Sequence, residues 1–138
     1  MSARILYIDD EEDLRILVQS QLELEGFSVD LAGNGISAID MIARTSYDVI
    51  LLDLHLPDMS GADIVEELNR RGLHPHLVIL SGDSSEEAQS RCIALGVKHF
   101  LHKPFHFRDL ISSIGRAPAQ NAKQDDDDES TNAGRTVG

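Results

Sequence analysis

The chain has 138 residues, 41% of them hydrophobic and 26% charged, and 12 basic against 24 acidic side chains give a formal charge of -12. It contains no run of about 18 apolar residues, so it is not expected to enter a membrane, and a chain this acidic repels the phosphates of nucleic acids, so direct nucleic-acid binding by this segment is not expected either. The single cysteine, Cys92, makes neither an internal disulfide nor a zinc site and is read as packing; Met1 to Leu6 carry no long apolar stretch or small-residue cleavage site, so the expected compartment is the cytoplasm.

The length suits one domain that buries roughly two thirds of its surface. Along the chain, Ile5 to Ile8 form a short apolar run, and Leu14, Leu17, Val18 and Leu22 then recur at helical spacing up to Gly26. Phe27, Val29 and Leu31 alternate with polar residues as in a strand; after Gly33-Asn34-Gly35, Ile36, Ile39, Ile42 and Ala43 mark a second helix. Val49 to Leu52 is a continuous apolar run that ends at Asp53, which suits a strand buried on both faces. Ile64, Val65 and Leu68 mark the next helix, closed by Gly72. Leu77 to Leu80 is a fourth strand, with His74 and His76 in an exposed loop before it. Ser84-Ser85-Glu86-Glu87 has capping-box spacing ahead of Ala88, Cys92 and Leu95. Val97 to Leu101 and then Phe107, Leu110, Ile111 and Ile114 complete a fifth pair. Five strand and helix units with short connections predict an α/β fold, a doubly wound parallel sheet with helices on both faces. From Ala117 the composition turns to Ala, Pro, Gln, Asn, Asp and Ser, so a domain over 1–116 and a disordered acidic tail or linker over 117–138 are expected.

In an open parallel sheet the ligand crevice lies beyond the carboxyl ends of the strands, where this order brings together Asp9 and Asp10, Asp53, Ser81 and Lys103. Carboxylates within about 4 Å repel by roughly 4 kcal/mol per pair at an effective dielectric of about 20, so such a cluster takes up protons or holds a cation. Oxygen-only ligands suit a hard ion such as magnesium, which keeps waters and a phosphate oxygen. Lys103 supplies a point charge and Ser81 a hydroxyl donor for phosphoryl oxygens, and Asp53, on the central strand, is best placed as the nucleophile of an acyl phosphate.

These residues carry a family resemblance. ILYIDDEEDL, VILLDLHLPDMSG, VILSG and HKPF, in this order and spacing, resemble the receiver domain of two-component response regulators, of the chemotaxis-regulator kind, over about residues 3 to 116. The resemblance implies a flavodoxin-like strand order of 2-1-3-4-5. It implies that Asp53 accepts a phosphoryl group from a phosphohistidine on a sensor histidine kinase or histidine phosphotransfer protein. Asp10, Asp53 and the backbone carbonyl of His55 would ligate Mg2+, with Mn2+ able to substitute and Asp9 acting mainly through water. Lys103 would bind phosphoryl oxygens, with a cis bond to Pro104, while Ser81 and Phe100 would form a switch pair. His55 and Asp83 would tune the lifetime of the phosphoaspartate. The expected output is a phosphorylation switch, not an enzyme, that controls a downstream effector protein or domain through the face from Glu86 to Ile114, with homodimerisation on phosphorylation a further possibility.

Plainer readings stand beside these. Glu11, Glu12 and Asp13 at a helix start are favourable dipole chemistry, and Phe100 alone reads as a core aromatic. His99, His102 and His106 surround Lys103, but His99 and His102 fall on opposite faces of a strand, which disfavours a zinc site. The block Asp125 to Glu129 reads as solvated linker. Two other functions compete: a receiver fragment of a longer regulator whose effector domain is missing, and a magnesium-dependent phosphatase with an aspartate nucleophile. The second is disfavoured because Asp53 is followed by Leu54 and His55 where such enzymes carry a second aspartate two positions on.

Overall fold

The structure, a computed structural model, describes residues 3–82 and 84–115. Five strands alternate with five helices: β1 (Arg4–Ile8), α1 (Glu12–Leu24), β2 (Ser28–Ala32), α2 (Gly35–Arg44), β3 (Val49–Asp53), α3 (Gly61–Arg70), β4 (His76–Ser81), α4 (Glu86–Ala94), β5 (His99–His102) and α5 (Phe107–Ile114). All neighbouring strands are parallel, in the order β2-β1-β3-β4-β5. This is the flavodoxin-like arrangement, and its central strand β3 is buried at every position.

The two faces of the sheet carry separate cores, as strand alternation requires. Leu6, Ile8, Ile50, Leu52 and Ile79 face one way and pack with Ala38 and Ile42 of α2, Ile64, Val65 and Leu68 of α3, and Cys92 of α4. Ile5, Tyr7, Val49, Leu51, Val78 and Leu80 face the other way, against Val18 and Leu22 of α1 and Leu110 and Ile114 of α5. Helices on both faces leave the carboxyl ends of β1, β3, β4 and β5 side by side at one edge of the molecule.

Several local expectations shift. Leu17 is 55% exposed and Ile36 is 68% exposed, because α1 turns Val18 and Leu22 inward and α2 turns Ala38 and Ile42 inward. Strand β4 begins at His76, which is half-buried in the sheet and bonded through Nε2 to the Ser113 carbonyl oxygen at 2.8 Å, so it is not a loop residue. Strand β5 begins at His99, with Val97 buried ahead of it. The capping box expected at Ser84 is absent: Ser85 is the cap residue of α4, and its hydroxyl donates back to the Gly82 carbonyl at 2.7 Å. A capping box forms instead at α3, where Ser60 Oγ accepts from the Ala62 amide at 3.1 Å and Asp63 Oδ2 accepts from the Ser60 amide at 3.1 Å. Among the described residues no helix is long and apolar enough to cross a membrane. Asp83, Arg116 and the expected tail over 117–138, with the block Asp125 to Glu129, lie outside the described residues.

Candidate functional site

Asp9 continues β1 by one residue, its amide donating to the Ala32 carbonyl at 3.1 Å, and its side chain is fully buried. Burial of a carboxylate is tolerable only with donors around it. Asp9 has three on its carboxylate: the Tyr7 hydroxyl on Oδ2 at 2.9 Å, the Lys103 ammonium on the same oxygen at 2.8 Å, and the Glu11 amide on Oδ1 at 3.0 Å. Its carbonyl oxygen accepts from Arg15 Nη1 at 2.7 Å, and the guanidinium lies against Gly33, where an added Cβ would sit 2.9 Å from that nitrogen.

Asp53 ends β3 and is 5% exposed; its Oδ1 accepts from the His55 amide at 3.3 Å, and its Oδ2 lies 3.4 Å from Lys103 Nζ. Asp10 is exposed at the rim, and one carboxylate oxygen each from Asp9, Asp10 and Asp53 fall within 4.8 Å of one another. Lys103 reaches the pair from just beyond β5, where its amide donates to the Ser81 carbonyl at 2.7 Å and its bond to Pro104 is cis.

The electrostatics follow from the burial. Asp53 is pushed above the usual carboxylate range, first by burial and also by the charge of Asp9, with Lys103 and the His55 amide opposing. Burial alone would pull the Lys103 ammonium down, but the hydrogen bond and charge of Asp9, together with Asp53, leave it above its ordinary value. Burial, and then Asp9, push the Tyr7 phenol far up, so it acts only as a donor. One ammonium thus faces two buried carboxylates and a third at the rim. A site with surplus negative charge and oxygen ligands only fits a hard divalent cation. Among the described residues no other set of three or more His, Cys, Asp or Glu side chains has such geometry.

The remaining sequence candidates surround this pocket. Ser81 is buried at the end of β4 and pairs with His102 across the ladder, and Phe100, paired with Ile79, is half-buried against the core of the α2, α3 and α4 face. His55 is exposed in the β3 to α3 loop and bridges backbone to backbone with Ser60. His99 stacks toward His76, ring centroids 4.7 Å apart, away from His102.

Two contributors went unread in the sequence. Tyr7 is the only ring in an aliphatic strand, and the period of two that puts residues 7 and 9 on one face was the available signal. Asp58 reaches from the β3 to α3 loop to accept the Gly35 and Ile36 amides at 2.8 and 2.9 Å, which holds its carboxyl below the usual range and ties the loop to the start of α2.

Fold and pocket together define the class: a flavodoxin-like α/β domain with an acidic, oxygen-lined pocket beyond its strand ends that suits a divalent cation. The family model for the response regulator receiver domain matches residues 5–115, and the chain belongs to that family of two-component signalling domains. It is 35% identical over 111 residues to the cell cycle transcriptional regulator CtrA of Caulobacter vibrioides, covering 80% of this chain and 48% of that one. It is 32% identical over 127 residues to the response regulator MprA of Mycobacterium leprae, covering 92% of this chain and 55% of that protein. Among solved structures it is similar to the response regulator TrrA of Thermotoga maritima in complex with Mg(2+)-BeF, with 28% identity, a TM-score of 0.74, and coverage of 84% and 98%. It is also similar to a CheY-like receiver domain from Methanospirillum hungatei, with 27% identity, a TM-score of 0.76, and coverage of 83% and 92%. The chain spans about half the length of the curated relatives it matches. Receivers of this family are typically phosphorylation switches, and the family implies a kinase partner.

Proposed function

We propose that Asp53 takes a phosphoryl group from a phosphohistidine on a sensor histidine kinase or a histidine phosphotransfer protein, in the presence of Mg2+, for which Mn2+ can substitute. The observation that carries this reading is the Lys103 ammonium poised between two buried carboxylates, 2.8 Å from Asp9 and 3.4 Å from Asp53. A carboxylate oxygen of Asp53 attacks phosphorus, the phosphorus to nitrogen bond breaks, and its electron pair leaves with the donor imidazole. Asp10, Asp53 and the His55 carbonyl would hold the ion directly, with Asp9 acting through water; when bound, the ion neutralises charge on the phosphoryl oxygens. Lys103 neutralises one of those oxygens, and the Ser81 hydroxyl donates to another. The complex named for the Thermotoga relative, with Mg(2+)-BeF, supports this ion chemistry by similarity.

The added charge is the switch. Ser81 moves toward the phosphoryl group and Phe100, on the same side of the sheet, turns into the space it vacates. That changes the α4, β5 and α5 face, which we read as the surface for a downstream effector protein or domain and for homodimerisation on phosphorylation. His55 and Asp83 are assigned to tuning the phosphoryl lifetime. We read the domain as 1–116, with 117–138 as tail or linker. Coverage of about half of each curated relative favours a second reading, in which this receiver is part of a longer regulator with an effector domain.

Intact mass after incubation with acetyl phosphate and magnesium tests the assignment. One phosphoryl group is expected on the wild-type chain and none on Asp53→Asn or with a chelator. Phosphorylation of Asp53→Asn to the wild-type level would reject Asp53 as the acceptor.

A further inference from the structure

Tyr7 is fully buried in the core between the sheet, α1 and α5, among Ile5, Val49, Leu51 and Leu80. Phenylalanine would fill that space equally well, and a buried hydroxyl costs free energy unless it is bonded. The hydroxyl has one bond, to Asp9 Oδ2 at 2.9 Å, and that oxygen is the one Lys103 also holds. Lys103 is therefore shared, at 2.8 Å from Asp9 and 3.4 Å from Asp53.

A phosphoryl group on Asp53 needs that ammonium. When Lys103 turns from Asp9 to a phosphoryl oxygen, a fully buried carboxylate loses one of its three donors. The Glu11 amide remains on Oδ1, and the Tyr7 hydroxyl remains on Oδ2, the oxygen that Lys103 leaves. Without the hydroxyl, Oδ2 would be left bare, so Asp9 would hold Lys103 harder and the transfer would slow. We propose that Tyr7 is a positioning residue for phosphoryl transfer, its hydroxyl holding Asp9 so that Lys103 can leave it for the phosphoryl group; this rests on Asp53 being the acceptor.

The test follows phosphorylation of the full chain by acetyl phosphate at saturating magnesium, using intact mass, beside calorimetric titration of magnesium alone. Tyr7→Phe is expected to slow the initial rate on the order of tenfold, the worth of one charge-assisted hydrogen bond, while magnesium affinity changes by less than about twofold. In a Lys103→Ala background the same substitution is expected to change the rate by less than about twofold, since there is no ammonium left to release. Tyr7→Leu, which also lacks the hydroxyl but matches the aliphatic neighbours, repeats the comparison with a different fill of the core. A structural role alone would lower rate and magnesium affinity together and act equally with or without Lys103. Equal rates for wild type and Tyr7→Phe overturn the inference, and so does the same loss in the Lys103→Ala background. A wild-type chain that neither gains a phosphoryl group nor binds beryllofluoride with magnesium overturns the acceptor reading, and this inference with it.

Discussion

Asp53 is a carboxylate whose surroundings favour its neutral form more than water does. Burial and the neighbouring Asp9 raise its folded-state pKa above that of the unfolded chain. A group shifted in that direction adds stability below its unfolded value and loses it as pH rises through the folded value. At pH 7.5, with no divalent ion, the ionised Asp53 therefore weakens the fold, and Asp53→Asn is expected to melt several degrees higher, the effect of relieving on the order of 1 kcal/mol of buried like-charge repulsion. The gap should close as pH falls toward 4, because wild-type Asp53 then takes up the proton. Thermal melts of both proteins in chelator across that range check this. A gap that stays constant with pH, or an asparagine variant that melts lower at pH 7.5, contradicts the assignment of repulsion to this pair.

The loop after β3 shows why the elements meet where they do. Gly61 starts α3, and a Cβ placed there would sit 2.6 Å from the Asp53 carbonyl oxygen and 2.9 Å from Leu54 Cα, both backbone atoms that cannot swing aside. Gly61→Ala is therefore expected to destabilise the fold by about 1 to 3 kcal/mol, as overpacking does, and to slow phosphorylation because the forced shift falls on the backbone of Asp53, the proposed acceptor. A melt and an acetyl phosphate time course measure both; an alanine variant with wild-type stability would show that the turn opens freely. A glycine at this position was visible in VILLDLHLPDMSG, but its reason was not, since the clash partner is backbone brought back by the fold. The same divide runs through the other elements. The all-apolar run of β3 and the inward face of α3, with Ile64, Val65 and Leu68, were legible because burial there leaves no alternative pattern. Leu17 and Ile36 misled because adjacent apolar pairs, Leu17-Val18 and Gly35-Ile36 before Ala38, leave the helix face ambiguous by one residue until packing decides it. His76 followed a proline and read as loop, and only pairing with Val49 made it strand. The acidic pair, Asp53 and Lys103 were legible as types at strand ends, whereas Tyr7, through one hydrogen bond, and Asp58, through two, act by contacts that composition does not reveal.

Taken over all residues, the charge of -12 makes the chain self-repelling, and the acidic pocket is one place where that repulsion is concentrated and buried. Two ways of relieving it make different predictions. Sodium chloride screens exposed charges over a Debye length of about 10 Å at 0.1 M but acts weakly on buried ones. A divalent cation seated among Asp9, Asp10 and Asp53 binds the folded chain alone and stabilises it by mass action, about 2.7 kcal/mol at one hundred times its dissociation constant. For a folded region of this size that is a rise in Tm on the order of 10 °C. Magnesium chloride is therefore expected to raise Tm by far more than sodium chloride of equal ionic strength, and Asp10→Asn should remove most of the difference while leaving the response to sodium chloride intact. Calcium should give a smaller rise than magnesium, because it asks for six to eight oxygens where this pocket offers few. If both salts raise Tm equally, or if Asp10→Asn keeps the full response to magnesium, the carboxylates are merely screened and the oxygen-lined pocket holds no specific ion.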